Sequence, residues 1–181
     1  PYYFTSGGPG SGLFLTLDGG DSWKKLMFTE GLPEGDLGRI GLAIAQSNPN
    51  RIYAKIESEK NALYRSDNGG QNWYKINDNP KFTNNRPFYF QELAVDPEDP
   101  ERLYNIYQPL SVSYDGGISF DPVPMIPADE TKGIHADFHA FWVNPRDAKH
   151  FIIGGDGGIG ITRDHGESWY FPETIPVAQV Y

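Results

Sequence analysis

The sequence predicts an all-β fold built from about four repeated units, each a meander of four short antiparallel strands. Two markers recur along the 181 residues with a common period of about 50 residues. The 21 glycines and 15 prolines favour many turns, and no segment keeps a helical period of 3.6 residues beyond two turns. Four-stranded units of this length are typical of the blades of a β-propeller, whereas a β-sandwich requires no such repetition.

The first marker is an eight-residue turn motif of the form Ser/Thr-x-Asp/Asn-x-Gly-x-x-Trp/Phe, which we call the box. Its four copies are TLDGGDSW (Thr16–Trp23), SDNGGQNW (Ser66–Trp73), SYDGGISF (Ser113–Phe120) and TRDHGESW (Thr162–Trp169). The third positions lie 50, 47 and 49 residues apart and are Asp18, Asn68, Asp115 and Asp164. The eighth positions are Trp23, Trp73, Phe120 and Trp169.

The second marker is a strand, an Asn/Asp-Pro turn and another strand. It recurs three times, with prolines 48 residues apart at Pro49, Pro97 and Pro145. Together the two markers divide one unit into four strands joined by turns. In the second unit the predicted strands are Gly41–Gln46, Arg51–Glu57, Ala62–Ser66 and Trp73–Ile76.

The chemistry of the box favours a structural role. Its glycines supply positive φ, and its carboxylate accepts hydrogen bonds from backbone N–H groups of its own turn. Asn68 can accept the same hydrogen bonds, whereas an asparagine in place of aspartate would impair a calcium site or a catalytic acid. Calcium-loop spacing also fails, and four equivalent turns cannot all be one active site. The box therefore predicts hairpins between the third and fourth strands.

The predicted domain is a single propeller segment spanning residues 1–181. The blades are expected at about 1–28 (without its inner strand), 40–77, 89–124 and 137–172, with 175–181 as the inner strand of a next or closing blade. The sequence is compatible with two ways of closing the propeller ring. The tail could complete the first blade in a four-bladed ring, or the chain could be part of a larger ring of about six to eight blades, which we favour.

Composition limits the partners. A net charge of −9 without a basic run disfavours nucleic acid and anionic membranes. No apolar stretch is long enough to span a bilayer. The absence of cysteine excludes disulfides and thiolate metal sites and is compatible with export.

The box motifs are those of the Asp-box (BNR) repeat, and the whole chain resembles Asp-box propellers of the sortilin-like and xyloglucanase-like (glycoside hydrolase family 74-like) kind. The closer resemblance lies in RIYAKIES…ALYRSDNGGQNWYKIND and HADFHAFWVNPRDAKHFIIGGDGGIGITRDHGESW. Such proteins include glycosidases, sialidases and peptide-binding receptors, so the resemblance implies the fold more specifically than an activity. It implies an extracellular, periplasmic or cell-surface location.

Function is expected on the face opposite the boxes, which receives the long connections Met27–Arg39, Asn77–Gln91 and Pro124–His135 and the turn in Ile153–Gly160. In HADFH, strand alternation would place His135, Asp137 and His139 on one side. That triad suits a divalent metal, although the same side chains could equally bond to neighbouring backbone. No other cofactor is expected.

Two further sets of residues are candidates on that face. Arg86, Tyr89 and His135 could contact a ligand through stacking and hydrogen bonds, or Arg86 and Tyr89 could simply be solvated above Phe88 and Phe90. Asp137 and Asp156 could form the carboxylate pair of a glycosidase, or Asp156 could cap its own turn. The sialidase arginine triad cannot be assigned, because every arginine has a strand-surface or turn interpretation.

Two functions follow. The first is an exported, non-catalytic scaffold that binds protein or glycan through the long-loop face, with other chains or further blades of a parent protein as partners. The second is a polysaccharide-acting glycoside hydrolase of the xyloglucanase-like type that uses Asp137 and Asp156.

Overall fold

The structure of the protein is a computed structural model, which describes residues 6–84, 86–108, 110–125 and 134–172. Within those ranges the chain forms thirteen strands in four antiparallel sheets, with one 3-10 turn (Phe28–Glu30) and one helical turn, α1 (Pro80–Thr83). The all-β prediction and the prediction of antiparallel blades are confirmed. In the described ranges no helix is long and apolar enough to cross a membrane. The predicted tail strand at 175–181 lies outside them.

In every sheet the strands pair in chain order, as in a propeller blade. The first sheet holds β1 (Phe14–Leu15) and β2 (Lys24–Lys25). The second holds β3 (Ile40–Ile44), β4 (Ile52–Ile56), β5 (Ala62–Ser66) and β6 (Tyr74–Asn77). The third holds β7 (Leu93–Val95), β8 (Leu103–Asn105), β9 (Ser111–Ser113) and β10 (Asp121–Pro122). The fourth holds β11 (Phe138–Val143), β12 (Phe151–Gly155) and β13 (Gly158–Thr162).

Two sheets fall short of four strands in the described residues. The first has two, with Gly8 bridged separately to Leu37 of the following connection. In the fourth, Tyr170 occupies the place of the outer strand through a single bridge to Ile161. In the second unit, each predicted strand begins and ends within two residues of the observed strand.

The hydrophobic core lies between the sheets. Three clusters of buried side chains fill the first-to-second, second-to-third and third-to-fourth junctions. The middle strands β4 and β5 are buried on both faces, because the second sheet is covered by the first sheet on one side and the third on the other. The box aromatic lies in the junction with the preceding sheet: Trp73 contacts the first cluster, and Phe120 belongs to the cluster between the second and third sheets.

The box turns and the Asn/Asp-Pro turns lie at the same end of each sheet. Backbone N–H groups of three boxes donate to carbonyls of the turn between the first two strands of their own sheets. These bonds are Gly69 to Asn50 (3.0 Å), Gly116 to Glu101 (2.9 Å) and His165 to Lys149 (3.1 Å). The opposite end of the sheets therefore carries the long connections.

The four boxes share one hydrogen-bond pattern. The initial Ser or Thr hydroxyl accepts the backbone N–H of the residue four positions on, at 2.8–2.9 Å. The Asp or Asn at the third position accepts a second backbone N–H, at 2.9–3.0 Å, from Ser22, Asn72, Ser119 and Ser168 in turn. Asn68 makes this contact through its amide oxygen, so the turn closes equally with either residue type.

Candidate functional site

The candidate residues lie at the end of the sheets opposite the boxes. There the connection between the second and third sheets carries Arg86 and Tyr89, and the segment leading into β11 carries His135 and Asp137. His139 lies within β11, and Asp156 occupies the turn between β12 and β13. In the described part of the chain, Tyr89 contacts His139, Asp156 contacts Asp137 through the backbone, and the β12–β13 turn packs against His135.

A tight turn positions the aromatic residues of the first segment. Asn79 caps α1 by accepting the Lys81 N–H at 3.1 Å. Beyond α1, Arg86 takes a φ of 47°, and its carbonyl accepts the N–H groups of Tyr89 (2.7 Å) and Phe90 (2.9 Å). This turn buries Phe90 and leaves Phe88 and Tyr89 39% and 43% exposed. Strand alternation, which would bury both Phe88 and Phe90, is not followed because the backbone curls here.

His139 connects the third and fourth sheets through aromatic contacts. Its ring stacks on Phe90 at 4.8 Å between centroids with 9° between the planes, and it meets Tyr89 edge-on at 4.6 Å. The His139 Nε2 atom is buried and has no hydrogen-bond partner in the structure. Packing against Phe90 and Tyr89 therefore fixes the orientation of His139, and Tyr89 presents its remaining surface outward.

The prediction that His135, Asp137 and His139 share one side of a strand is wrong. The strand begins only at Phe138, and Asp137 has a φ of 77°, which breaks the extended alternation. The register of β11 against β12 also shifts between Phe138 and Ala140, with His139 inside the irregularity. Among the described residues, no three His, Cys, Asp or Glu side chains form a group able to hold a metal ion. Metal binding by this triad stays a prediction without geometric support.

Asp137 and Asp156 are neighbours through their backbones. The Asp156 N–H donates to the Asp137 carbonyl at 3.3 Å. Glycine is required beside them, since a Cβ at Gly155 would lie 2.3 Å from that same carbonyl oxygen. Asp137 is half-buried, and its Oδ1 atom is buried without a hydrogen-bond partner, whereas Asp156 is exposed.

His135 is exposed beside this pair and makes a local contact. Its Nδ1 lies 2.6 Å from the carbonyl oxygen of the adjacent Ala136. A Cβ at Gly157 would lie 2.2 Å from the His135 backbone nitrogen, so the β12–β13 turn packs directly against the HADFH segment.

A polar cluster that no sequence pattern predicted lies beside the aromatic turn and is formed by Arg39, Gln91 and Glu92. The Arg39 guanidinium donates to the Tyr89 carbonyl at 2.7 Å and to Glu92 Oε1 at 2.5 Å. Gln91 Nε2 donates to the Arg39 carbonyl at 3.1 Å. Arg39 lies 50 to 53 positions from these partners in the sequence, and its interpretation as a turn or strand-surface residue carries no signal of this pairing.

The cluster also shapes the electrostatics of the junction beneath it. Burial lowers the pKa of Lys55 to about 8, Glu92 opposes this shift, and Arg39 adds to it. Lys55 donates to Asn105 Oδ1 at 2.8 Å, and its Nζ lies 5.9 Å from the centre of the Tyr107 ring.

No protein-family model matches the chain. A curated relative, the oligoxyloglucan-reducing end-specific xyloglucanase of Emericella nidulans, is 29% identical over 169 residues, which cover 86% of this chain and 20% of that protein. The chain thus spans about a fifth of the relative's length.

Solved structures with the same fold include three GH74 enzymes. The enzyme of Niastella koreensis gives a TM-score of 0.58 at 19% identity, covering 74% of this chain and 22% of that one. The xyloglucanase of Xanthomonas campestris gives 0.56 at 20% identity, covering 75% and 23%. An ancestral GH74 enzyme gives 0.60 at 16% identity, covering 87% and 21%. At these identities the similarity establishes the β-propeller fold alone.

Proposed function

We propose that this chain contributes blades of an exported Asp-box β-propeller that binds a glycan through the face opposite its boxes. One observation carries the proposal: the Arg86–Phe90 turn holds Phe88 and Tyr89 outward on that face, with Tyr89 braced by His139. A rigid, partly exposed aromatic ring gives contact area to a sugar face at little entropic cost. Similarity to a xyloglucanase over 86% of the chain supports a glycan over a protein as the ligand.

The test compares two exposed tyrosines on opposite faces. Tyr89→Ala removes the platform, while Tyr114→Ala, at a box position 58% exposed, is the matched control. Binding to xyloglucan and to a panel of β-glucans is measured by isothermal titration calorimetry. We expect Tyr89→Ala to lower affinity roughly tenfold and Tyr114→Ala to leave it unchanged. A wild-type protein that binds none of these polysaccharides would contradict the proposal.

Hydrolysis is a second candidate function, and the buried, unpartnered Asp137 Oδ1 favours it. Glycoside hydrolysis uses a pair of carboxyl groups, and Asp156 lies beside Asp137 through the backbone contact. Reducing-end release from xyloglucan should then disappear in both Asp137→Asn and Asp156→Asn. Release that survives either substitution excludes this pair as the catalytic carboxylates.

Metal binding by His135, Asp137 and His139 has a separate test. The metal content of the purified protein is compared with that of His139→Ala after incubation with zinc. Retention of zinc in the wild type alone would support the site, and a metal-free wild type would remove it.

A further inference from the structure

The second box contains the one Asn-Gly pair of the sequence, at Asn68 and Gly69. Asparagine is chemically labile, and most so before glycine, which has no side chain to hinder attack by its backbone nitrogen on the preceding side-chain amide. In that attack the Gly69 nitrogen bonds to Asn68 Cγ, the Cγ–Nδ2 bond breaks, and Nδ2 leaves as ammonia with the proton of the Gly69 N–H. Water then opens the resulting succinimide ring at either carbonyl, which yields aspartate or isoaspartate.

The amide group of Asn68 is open to this reaction in the folded protein. The Asn68 residue is exposed and Gly69 is half-buried. The Asn68 Oδ1 atom accepts the Ser66 hydroxyl at 3.0 Å and the Asn72 N–H at 2.9 Å. Both donors draw electron density from the amide carbonyl, so these bonds do not protect Cγ from attack.

The attacking nitrogen, in contrast, is restrained by the fold. The Gly69 N–H donates to the Asn50 carbonyl at 3.0 Å, in the turn between β3 and β4. Attack on Asn68 Cγ requires this nitrogen to lose its proton and to leave the Asn50 carbonyl. Succinimide formation therefore needs a local opening of the box turn, and the free energy of that opening slows the reaction.

We propose that Asn68 is a deamidation site that folding keeps closed. In the unfolded chain the Asn68–Gly69 pair reacts with its intrinsic rate, and in the folded protein the Gly69–Asn50 hydrogen bond holds the nucleophile away from the amide. The proposal is independent of glycan binding, because the box lies on the face opposite the aromatic turn.

The two products fit the box differently. Aspartate is the residue type at this position in the other three boxes, and Asn68 already closes the turn through a single side-chain oxygen. Isoaspartate carries the main chain through its β-carbon, which adds one atom to the backbone before Gly69. The Ser66 hydroxyl and the Gly70 N–H bond across this point at 2.9 Å, and the longer backbone disrupts that contact. The aspartate product is therefore expected to refold, and the isoaspartate product to leave the second box open.

The test compares folded and unfolded protein at the same mildly alkaline pH, the unfolded sample being kept in guanidinium. Trypsin then releases the peptide 66–75, SDNGGQNWYK, which contains both Asn68 and Asn72. Fragmentation by mass spectrometry measures how fast each asparagine exchanges its amide for a carboxyl group. Asn72 is the internal control, because the side chain of Trp73 hinders the same attack.

We expect Asn68 to react at least about tenfold faster than Asn72 in the unfolded chain. In the folded protein Asn68 should react at least about tenfold more slowly than in the unfolded chain. A smaller ratio in the first comparison would show that Asn68 is not a labile site, and a smaller ratio in the second that the turn does not protect it. Either result overturns the proposal.

The fate of the products is tested by refolding the reacted chain and separating folded from unfolded protein. Aspartate at position 68 should appear in the folded fraction and isoaspartate in the unfolded fraction, as identified with synthetic peptides as standards. Asn68→Asp reproduces the first product and should unfold at the same denaturant concentration as the wild type. Equal isoaspartate contents in the two fractions would show that the box tolerates the longer backbone, which contradicts the expected difference.

Discussion

Trp73 and Trp23 occupy the same position in two successive boxes, but Trp73 is 6% exposed and Trp23 is 60% exposed. The difference arises from the preceding sheet. Trp73 packs in the cluster formed with Leu13 and Leu26 of the first sheet region, and its Nε1 donates to the Gly70 carbonyl at 2.9 Å. In the described part of the chain no sheet precedes the first, so Trp23 keeps the Nε1 bond to Gly20 but not the packing.

This relationship predicts unequal costs for the same substitution. Trp73→Ala should lower the free energy of unfolding by about 3–5 kcal/mol, because it empties a buried junction. Trp23→Ala should lower it by less than about 1 kcal/mol, since little apolar surface is uncovered. Guanidinium unfolding of both variants checks this. Equal losses would mean that Trp23 is covered in the protein in solution.

The fifth position of the box, which is glycine in all four copies, provides a matched pair of substitutions for strain and packing. Gly20 and Gly117 have φ values of 104° and 94°, so alanine is strained at both. A Cβ at Gly20 meets only the Trp23 ring at 3.9 Å, whereas one at Gly117 would lie 2.5 Å from Leu63 Cδ2. We expect Gly20→Ala to cost about 1–2 kcal/mol and Gly117→Ala about 1–3 kcal/mol more. Similar unfolding midpoints for the two variants would count against this packing.

The repetitive part of the fold was accessible from the sequence because it depends on local chemistry. Each box closes through contacts within five residues, as between Ser113 and Gly117, so one copy reveals the turn and four copies reveal the period. The strands between boxes follow from the alternation and the turn residues around them.

The site was predicted less well, because it depends on contacts and backbone angles that leave no pattern in the sequence. The unfavourable φ of Asp137 and the register shift at His139 break the alternation on which the HADFH prediction relied. The Arg39–Glu92 pair and the His139–Phe90 stack join residues from neighbouring sheets, about 50 positions apart. Only packing of the sheets brings them together.

The box carboxylates predict a loss of stability in acid. Hydrogen bonds from Ser168 and Thr162 lower the pKa of Asp164 to about 2 from 3.8, and bonds from Ser22 and Thr16 also lower that of Asp18. A lowered folded-state pKa contributes stability above the unfolded value, near pH 4, which is lost as the pH falls toward 2. Asp18→Asn/Asp164→Asn should flatten the unfolding free energy over this range, because Asn68 shows that an amide closes the turn. An unchanged acid slope in the double variant would contradict the assignment.

Because Lys55 is buried, we expect the free energy of unfolding to rise with pH in the alkaline range. Burial lowers the folded-state pKa to about 8 from 10.5, so between these values the unfolded chain binds a proton that the folded protein does not. Stability from this group therefore rises with pH through that window, by at most about 1.4 kcal/mol per pH unit. Lys55→Met should abolish the rise in stability between pH 8 and 9.5, a range below that in which tyrosines ionise. The control Lys75→Met, which removes a lysine from an exposed ion pair, should preserve the rise. Urea unfolding at several pH values across this range measures the slope. If the stability of the wild type is flat or falls with pH, and Lys55→Met shows the same slope, Lys55 stays charged in the folded protein.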